Sequence, residues 1–193
     1  MYPLLIGSVL TVAYGLERVV CYIRARLRDG FLPDLHRLIK EEKYGNALIL
    51  AEKAPGPVAA IAAEALRHRG YPVTVVEEAV SLRGSQELER MNDNLHILEL
   101  IGRIAPLLGL LGTVLGMVSA FRTVAASQGS IDPAVLADGI WEALITTVVG
   151  MCVAIPALIF HHFFEDRVKK TAFQMKHYGA EIVKLLGEKH DRV

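Results

Sequence analysis

Residues 104–121 read IAPLLGLLGTVLGMVSAF and carry no charged side chain, with Arg103 directly before them and Arg122 directly after. Eighteen residues at the α-helical rise extend about 27 Å, which is close to the thickness of the hydrocarbon core of a bilayer. A helix that is apolar on every side and ends at arginines with this spacing is uncommon in a soluble core. The stretch therefore predicts a membrane-spanning helix.

Small side chains recur along this predicted helix. Ala105, Gly109, Gly112 and Gly116 follow one another at steps of four, three and four residues, so they lie on one face. Such a face lets a second helix approach closely, although glycine is also common in membrane helices in general. Thr113 is polar within the run, and its hydroxyl either bonds to a carbonyl one turn back or serves a function. The spacing alone does not separate these two interpretations.

Two further apolar stretches predict two further spans. Residues 1–23 form the first, interrupted only by Glu17 and Arg18. Arg24, Arg26 and Arg28 follow this stretch, whereas in a signal peptide the positive charge would precede it. That order favours an uncleaved span with its N-terminus outside and its C-terminal end in the cytoplasm. Residues 138–164 form the third span, because no carboxylate, lysine or arginine occurs between Glu142 and Glu165.

The third span repeats the small-residue pattern. One face is predicted at steps of four, four, three and four residues, with Thr147 in its middle: Gly139, Ala143, Thr147, Gly150 and Ala154. Pro106 in the second span and Pro156 in the third each remove a backbone donor, so a kink is expected at both positions.

The remaining segments are highly charged or short. Residues 24–103 hold twelve Lys or Arg and twelve Asp or Glu, and they predict a cytoplasmic helical domain of four helices. The fourth, capped by Thr74, is expected to continue without a break into the second span. Residues 123–137, with a loop at 128–130 and a helix start at Asp132, are poor in positive charge and are predicted to be periplasmic. Residues 165–193 are predicted to be a cytoplasmic helical tail. The fold class is therefore an all-α integral membrane protein with three transmembrane helices and long cytoplasmic helical extensions.

Composition argues against several functions. The 21 basic and 21 acidic residues balance, and a basic patch with interleaved aromatic residues is missing, so nucleic acid is not an expected partner. The sequence contains no phosphate-binding glycine loop, no G-x-S-x-G, no H-E-x-x-H and no Cys-x-x-Cys. Cys21 and Cys152 both lie in apolar runs. We therefore expect no enzyme activity, no cofactor and no metal site.

Glu142 is the carboxylate that requires an explanation. A membrane carboxylate is costly and usually faces protein or a cavity. The alternative is that Glu142 sits in the outer headgroup zone beside Trp141. With Thr113 and Thr147 it forms a sparse polar set that suits the wall of a narrow pore or a socket for another helix. A transporter that carries its own proton would instead need an ionisable group near the midplane.

Two motifs resemble a known family. APLLGLLGTVLGM at 105–117 and GIWEALITTVVGMCVAIPALIF at 139–160 are similar to the ExbB/TolQ/MotA family of proton-channel subunits, and the resemblance covers about residues 85–165. Three spans are typical of ExbB or TolQ, whereas the flagellar relative MotA has four.

The resemblance implies a homopentamer in the bacterial inner membrane. The second and third helices of each subunit would line a central pore that holds two helices of an ExbD/TolR-type partner, whose aspartate carries the proton. Energy would pass through that partner, or through a TonB- or TolA-type protein, to the outer membrane. Thr113, Thr147 and Glu142 would be the pathway residues, and of the two small-residue faces one would pack neighbouring subunits while the other lines the socket.

Alternatives remain at this stage. A non-conducting membrane scaffold, a stand-alone transporter, and a TolQ-like or gliding-type stator all share some of these features.

Overall fold

The computed structural model describes residues 2–24, 30–126 and 133–190, and all regular structure in these ranges is helical. The helices are α1 (Tyr2–Arg24), α2 (Phe31–Lys40), α3 (Tyr44–Lys53), α4 (Pro57–Arg67), α5 (Val73–Asn92), α6 (Leu95–Ala126) and α7 (Pro133–His190). Three stretches are long and apolar enough to cross a membrane, and they lie in α1, in α5–α6 and in α7. This confirms an all-α fold with three membrane-length helices. The loop expected at 128–130 and the helix cap expected at Asp132 lie outside the described residues.

The chain divides into two compact units. The apolar unit comprises Met1–Glu17 and Asn94–Phe164, and the charged unit comprises Arg18–Asp93 and Glu165–Val193. The apolar unit holds the second and third predicted spans. The charged unit holds the short helices and the C-terminal part of α7.

The core of the charged unit is built from short amphipathic helices. Leu35 and Ile39 lie four residues apart on α2, and both are fully buried, whereas the charged residues of α2 lie on its exposed side. Alanine occupies five of the eleven positions of α4, so neighbouring helices can approach its backbone closely. Ile182 of α7 completes the same core. Burial of these apolar faces therefore holds the short helices together.

The expected continuation of α5 into the second span is wrong. The helix ends at Asn92, Asp93 adopts an extended ψ of 137°, and Asn94 takes a left-handed φ of 62° before α6 begins. Asparagine adopts this conformation more readily than most residues because its short side chain bonds to the local backbone. The run Asn92-Asp93-Asn94 therefore terminates a helix that hydrophobic periodicity alone would extend.

A buried arginine supports the end of α5. Arg18 is only 4% exposed, and its Nη1 donates to the carbonyl oxygens of Arg90 at 3.3 Å and Met91 at 3.2 Å. The Tyr22 hydroxyl donates to the same Met91 oxygen at 3.4 Å. The last carbonyls of a helix lack partners within it, and a cation placed there satisfies them and the helix dipole.

The start of α5 also differs from the expectation. The helix begins at Val73 directly after Pro72, and Thr74 lies within the first turn, so Thr74 is not the cap. Pro72 follows a turn and its ring fixes its own φ, and the helix begins two residues earlier than a Thr74 cap would place it.

In the apolar unit, α1 presents a small-residue face that the sequence interpretation did not identify. Gly7, Thr11 and Gly15 are spaced four residues apart, and the Thr11 hydroxyl donates to the Gly7 carbonyl at 2.8 Å. A Cβ on Gly15 would lie 3.1 Å from the ring of Phe160 on α7. The absence of a side chain at Gly15 therefore lets α1 pack closely against α7.

Candidate functional site

The two small-residue faces lie against each other within one chain. A Cβ on Gly109 would stand 2.9 Å from the Thr146 carbonyl oxygen and 3.0 Å from the Thr147 Cα. A Cβ on Gly150 would stand 2.7 Å from the carbonyl oxygen of Ala105. These neighbours are backbone atoms that cannot rotate away, so only glycine permits this separation of α6 and α7.

The same contact continues toward the C-terminal end of α6 and the N-terminal end of α7. A Cβ on Gly116 would be 2.7 Å from the Cβ of Ala143, and a Cβ on Gly139 would be 2.7 Å from the Cβ of Ala120. Ala105 and Ala154 are buried in a cluster with Val153 and Leu4. Both faces are thus occupied inside the single chain, unlike the expectation that one face packs neighbouring subunits and the other lines a socket.

Thr146 occupies the centre of this contact, and the sequence interpretation missed it. Its Oγ1 lies 3.1 Å from the carbonyl oxygen of Gly109 on α6 and 2.7 Å from that of Ala143 on its own helix. A signal was present in the sequence, because Gly139, Ala143, Thr146 and Gly150 also follow steps of four, three and four residues. The middle of the α7 face is therefore Thr146, and Thr147 lies at its edge.

The two predicted pathway threonines differ in their hydrogen bonding. The Thr113 Oγ1 donates to the Leu110 carbonyl oxygen at 2.7 Å, on its own helix. The Thr147 Oγ1 is buried, and among the residues that the structure describes it has no hydrogen-bond partner. A buried polar atom usually has a partner, so the Thr147 hydroxyl stands out as a group able to bond to something else.

Thr113 and Thr147 lie on the same side of the α6–α7 contact. Residue Gly7 of α1 approaches Ile101 of α6 and Val153 of α7, which defines the side that α1 covers. At about 100° per residue, Thr113 is about 120° from Ile101, and Thr147 is about 120° from Val153. On each helix, the face that contacts the other helix lies between the residue near α1 and the threonine. Thr113 and Thr147 therefore both lie on the side away from α1.

The two threonines also lie at nearly the same level along the helix pair. Gly112 of α6 faces Thr146 of α7. Thr113 directly follows Gly112 in the chain, and Thr147 directly follows Thr146. We call the surface around Thr113 and Thr147 the threonine flank. A hydroxyl both donates and accepts hydrogen bonds but holds no charge at neutral pH, so this flank can bridge a carboxylate yet cannot carry a proton by itself.

Glu142 lies apart from the threonine flank. It is exposed on the single chain, next to Trp141, which is 65% exposed. Phe160, which contacts Gly15 of α1, follows Glu142 by eighteen residues, which is about five helical turns. Glu142 therefore projects on the side that α1 covers further along α7, about 140° around the helix from Thr147.

The predicted prolines lie inside helices that run through them. Pro106 is half-buried within α6, and Pro156 is exposed within α7. At the other end of the apolar unit, the Nδ1 of His161 lies 3.1 Å from the Leu95 carbonyl oxygen. In the described part of the chain, no three His, Cys, Asp or Glu side chains form a group that could hold a metal ion.

These features define a helical membrane protein whose central helix pair carries two hydroxyls on one side. The chain belongs to the MotA/TolQ/ExbB proton channel family, which matches residues 53–177. The family resemblance seen in the sequence is thereby confirmed.

Three relatives are between a third and two fifths identical to the chain over the residues that align. The biopolymer transport protein exbB1 of Vibrio cholerae is 39% identical over 112 residues, which are 58% of this chain and 49% of that protein. A putative ExbB-like biopolymer transport protein of Synechocystis is 33% identical over 85% of this chain and 79% of its own length. The Tol-Pal system protein TolQ of Pseudomonas aeruginosa is 39% identical over 48% of this chain and 39% of its own. The chain thus spans about half the length of the Vibrio relative.

Proposed function

We propose that the chain is a proton-channel and motor subunit that uses the proton motive force to energise an envelope process, together with an ExbD/TolR-type single-span partner. The observation that carries this proposal is the threonine flank, where Thr113 and Thr147 lie at one level and the Thr147 Oγ1 is buried without a partner among the described residues. Membership of a proton channel family gives these hydroxyls a chemical context.

The proton carrier in this proposal is a carboxylate of the partner. The threonine flank offers hydroxyls but no acid, and Glu142 projects elsewhere on α7. A partner carboxylate placed beside the flank would supply the missing ionisable group. The Thr147 hydroxyl, brought to the surface by rotation of its side chain about χ1, would donate a hydrogen bond to the charged form of that carboxylate. One proton crossing about 100 mV releases about 2.3 kcal/mol, so several protons are needed for substantial mechanical work.

The assembly is proposed to be a homopentamer in the bacterial inner membrane. The N-terminus and residues 123–137 would be periplasmic, and residues 24–103 and 165–193 cytoplasmic, because positive charge concentrates in the latter two segments. Glu142 would lie near the periplasmic end, exposed to another subunit, to the partner or to lipid headgroups. Relatives include both ExbB and TolQ proteins, so a TonB- or a TolA-type protein would receive the energy.

The test is proton flux into vesicles that contain this chain and its partner. A pH-sensitive dye inside the vesicles reports uptake under an imposed potential of about 100 mV. We expect T147V to reduce the flux at least about tenfold, the equivalent of one lost hydrogen bond to a charged group, and T147S to retain it. T11V is the matched control, because Thr11 is a buried threonine of α1 that bonds within its own helix.

Two results would contradict the proposal. Wild-type flux in T147V would remove Thr147 from the pathway. A complex that assembles but conducts no protons in any variant would favour a non-conducting scaffold, and uptake of a substrate by this chain alone would favour a stand-alone transporter.

A further inference from the structure

The hydroxyl of Thr146 links α7 to α6 by a hydrogen bond, although it has only one proton to donate. Its Oγ1 is within hydrogen-bond distance of the Gly109 carbonyl oxygen at 3.1 Å and of the Ala143 carbonyl oxygen at 2.7 Å. A threonine hydroxyl has one proton to donate, so the two oxygens share it. The contact with Ala143 stays within α7, whereas the contact with Gly109 links α7 to α6.

The Thr146 side chain also fits a notch that glycine leaves in α6. A Cβ on Gly112 would lie 2.5 Å from the Thr146 Oγ1 and 2.8 Å from its Cβ. Because these separations are too short for any side chain at position 112, Thr146 fills the space in front of that glycine. The notch and the hydrogen bond together fix the rotation of α7 about its own axis.

That rotation sets the position of the next residue. Thr147 follows Thr146 directly, and Gly109 lies beside both, since its Cβ position is 3.0 Å from the Thr147 Cα. The Gly109 carbonyl is also the helical acceptor for the amide of Thr113, four residues later. Gly109 therefore contacts Thr146 through its carbonyl and Thr147 through its Cα side, and it is bonded along α6 to Thr113.

We propose that Thr146 is a positioning residue, which holds the Thr147 hydroxyl buried on the threonine flank through its bond to Gly109 and its fit against Gly112. This inference rests on the proposed function for its consequence but not for its geometry. The expected behaviour of the variants follows from whether the hydroxyl of the side chain is kept. T146S keeps the hydroxyl and T146A loses it, so serine should substitute for threonine and alanine should not.

The first arm of the experiment measures geometry without proton flux. In the full-length chain with Cys21 and Cys152 replaced by serine, T147C introduces one thiol at the flank. Its reaction rate with a small neutral thiol reagent reports how well position 147 is shielded. Interhelical hydrogen bonds in membranes imply a change of roughly 3- to 20-fold, so T146A should accelerate labelling by that factor. T146S should leave the rate unchanged.

The second arm measures proton flux with Thr147 intact and the partner present. We expect T146A to lower the flux and T146S to restore it. T11A is the matched control in both arms, because it deletes a buried threonine hydroxyl whose 2.8 Å bond stays within α1. Retention of wild-type helical content by circular dichroism shows that each variant is folded.

The outcomes separate the inference from the proposed function. A labelling rate that does not depend on residue 146, or that rises equally in T11A, overturns the positioning role whatever the flux. If labelling responds as expected while T147V conducts like the wild type, the contact is upheld and the proton pathway is overturned. Accelerated labelling with lost flux in T146A, and neither in T146S, supports both.

Discussion

One close contact between α6 and α7 can be tested by exchanging two side chains. A Cβ on Gly116 would be 2.7 Å from the Cβ of Ala143 and 3.2 Å from its Cα. Carbon atoms in favourable contact are about 3.5 to 4.0 Å apart, so G116A requires the backbones to separate by roughly 0.8 Å or more. Ala143 is 2% exposed, and this residue has no rotatable side chain that could relieve the overlap.

The magnitude follows from two opposed effects. Overpacking costs about 1–3 kcal/mol, while replacing a helical glycine by alanine returns about 1 kcal/mol, so G116A should lose up to about 2 kcal/mol. A143G alone should lose about 1 kcal/mol of helix propensity. In the double variant the propensity changes cancel and the Cβ–Cβ overlap disappears. Its stability should therefore return to within about 1 kcal/mol of the wild type, with a coupling energy between the sites of about 1–3 kcal/mol.

The assay is unfolding of the purified chain in detergent micelles, followed by circular dichroism during titration with a denaturing detergent. G45A is the control for helix propensity, because no atom lies within 4 Å of its Cβ position, and it should stabilise α3 slightly. Strict additivity of G116A and A143G would show that the two residues do not meet as the structure places them. Equal behaviour of G116A and G45A would show the same.

Three further predictions concern the charged unit. Lys43, which donates a hydrogen bond to Glu41 and attracts its charge, lowers the pKa of the Glu41 carboxyl. The contribution of this pair to stability is therefore present above the ordinary pKa of glutamate and is lost as pH falls through the folded pKa. K43Q should raise the Glu41 pKa in a carbon-13 NMR titration, whereas an unchanged titration would contradict the assignment. R18A removes the donor to two carbonyls at the end of α5 and should cost about 1–3 kcal/mol in detergent unfolding, with a wild-type midpoint as the contrary result. L35A deletes a fully buried side chain and should cost about 2–5 kcal/mol, while I49A, at a side chain that is 51% exposed, should cost far less; similar losses in both would argue against this core.

Helix type and membrane character were predictable because they depend on local composition. An uncharged run of helical length with arginines at its ends predicts a membrane-length helix without knowledge of any tertiary contact. The short helices of the charged unit were likewise marked by proline and glycine at their ends, as at Pro55-Gly56-Pro57 between α3 and α4.

The position of the break between α5 and α6 was not predicted because two signals conflict there. Apolar residues continue at helical spacing through Leu88, Met91 and Leu95, whereas Asn94 favours a left-handed turn. The buried Arg18, which donates to the last carbonyls of α5, supports the turn. That arginine lies more than seventy residues away in the chain, so local sequence could not decide between the two signals.

The choice between Thr146 and Thr147 also depended on a tertiary contact. Both residues continue a small-residue pattern with Ala143 and Gly150, because a contact face on a helix is about 100° wide and adjacent residues can occupy its centre or its edge. Only the direction of α6, and the carbonyl of Gly109 in particular, shows which hydroxyl faces the partner helix. The functional role of either threonine remains the subject of the flux experiment.

The occupation of both glycine faces within one chain affects what a neighbouring helix can meet. The outward surfaces of α6 and α7 carry flexible leucine side chains such as Leu107, Leu111 and Leu144, each more than half exposed. A contact between such side chains can re-form after a small sliding movement, because leucine changes rotamer at modest cost, whereas a backbone-to-backbone contact allows one register. The α6–α7 pair is thus suited to move as one rigid unit, while the leucine side chains on its outward surface rearrange against a neighbouring helix.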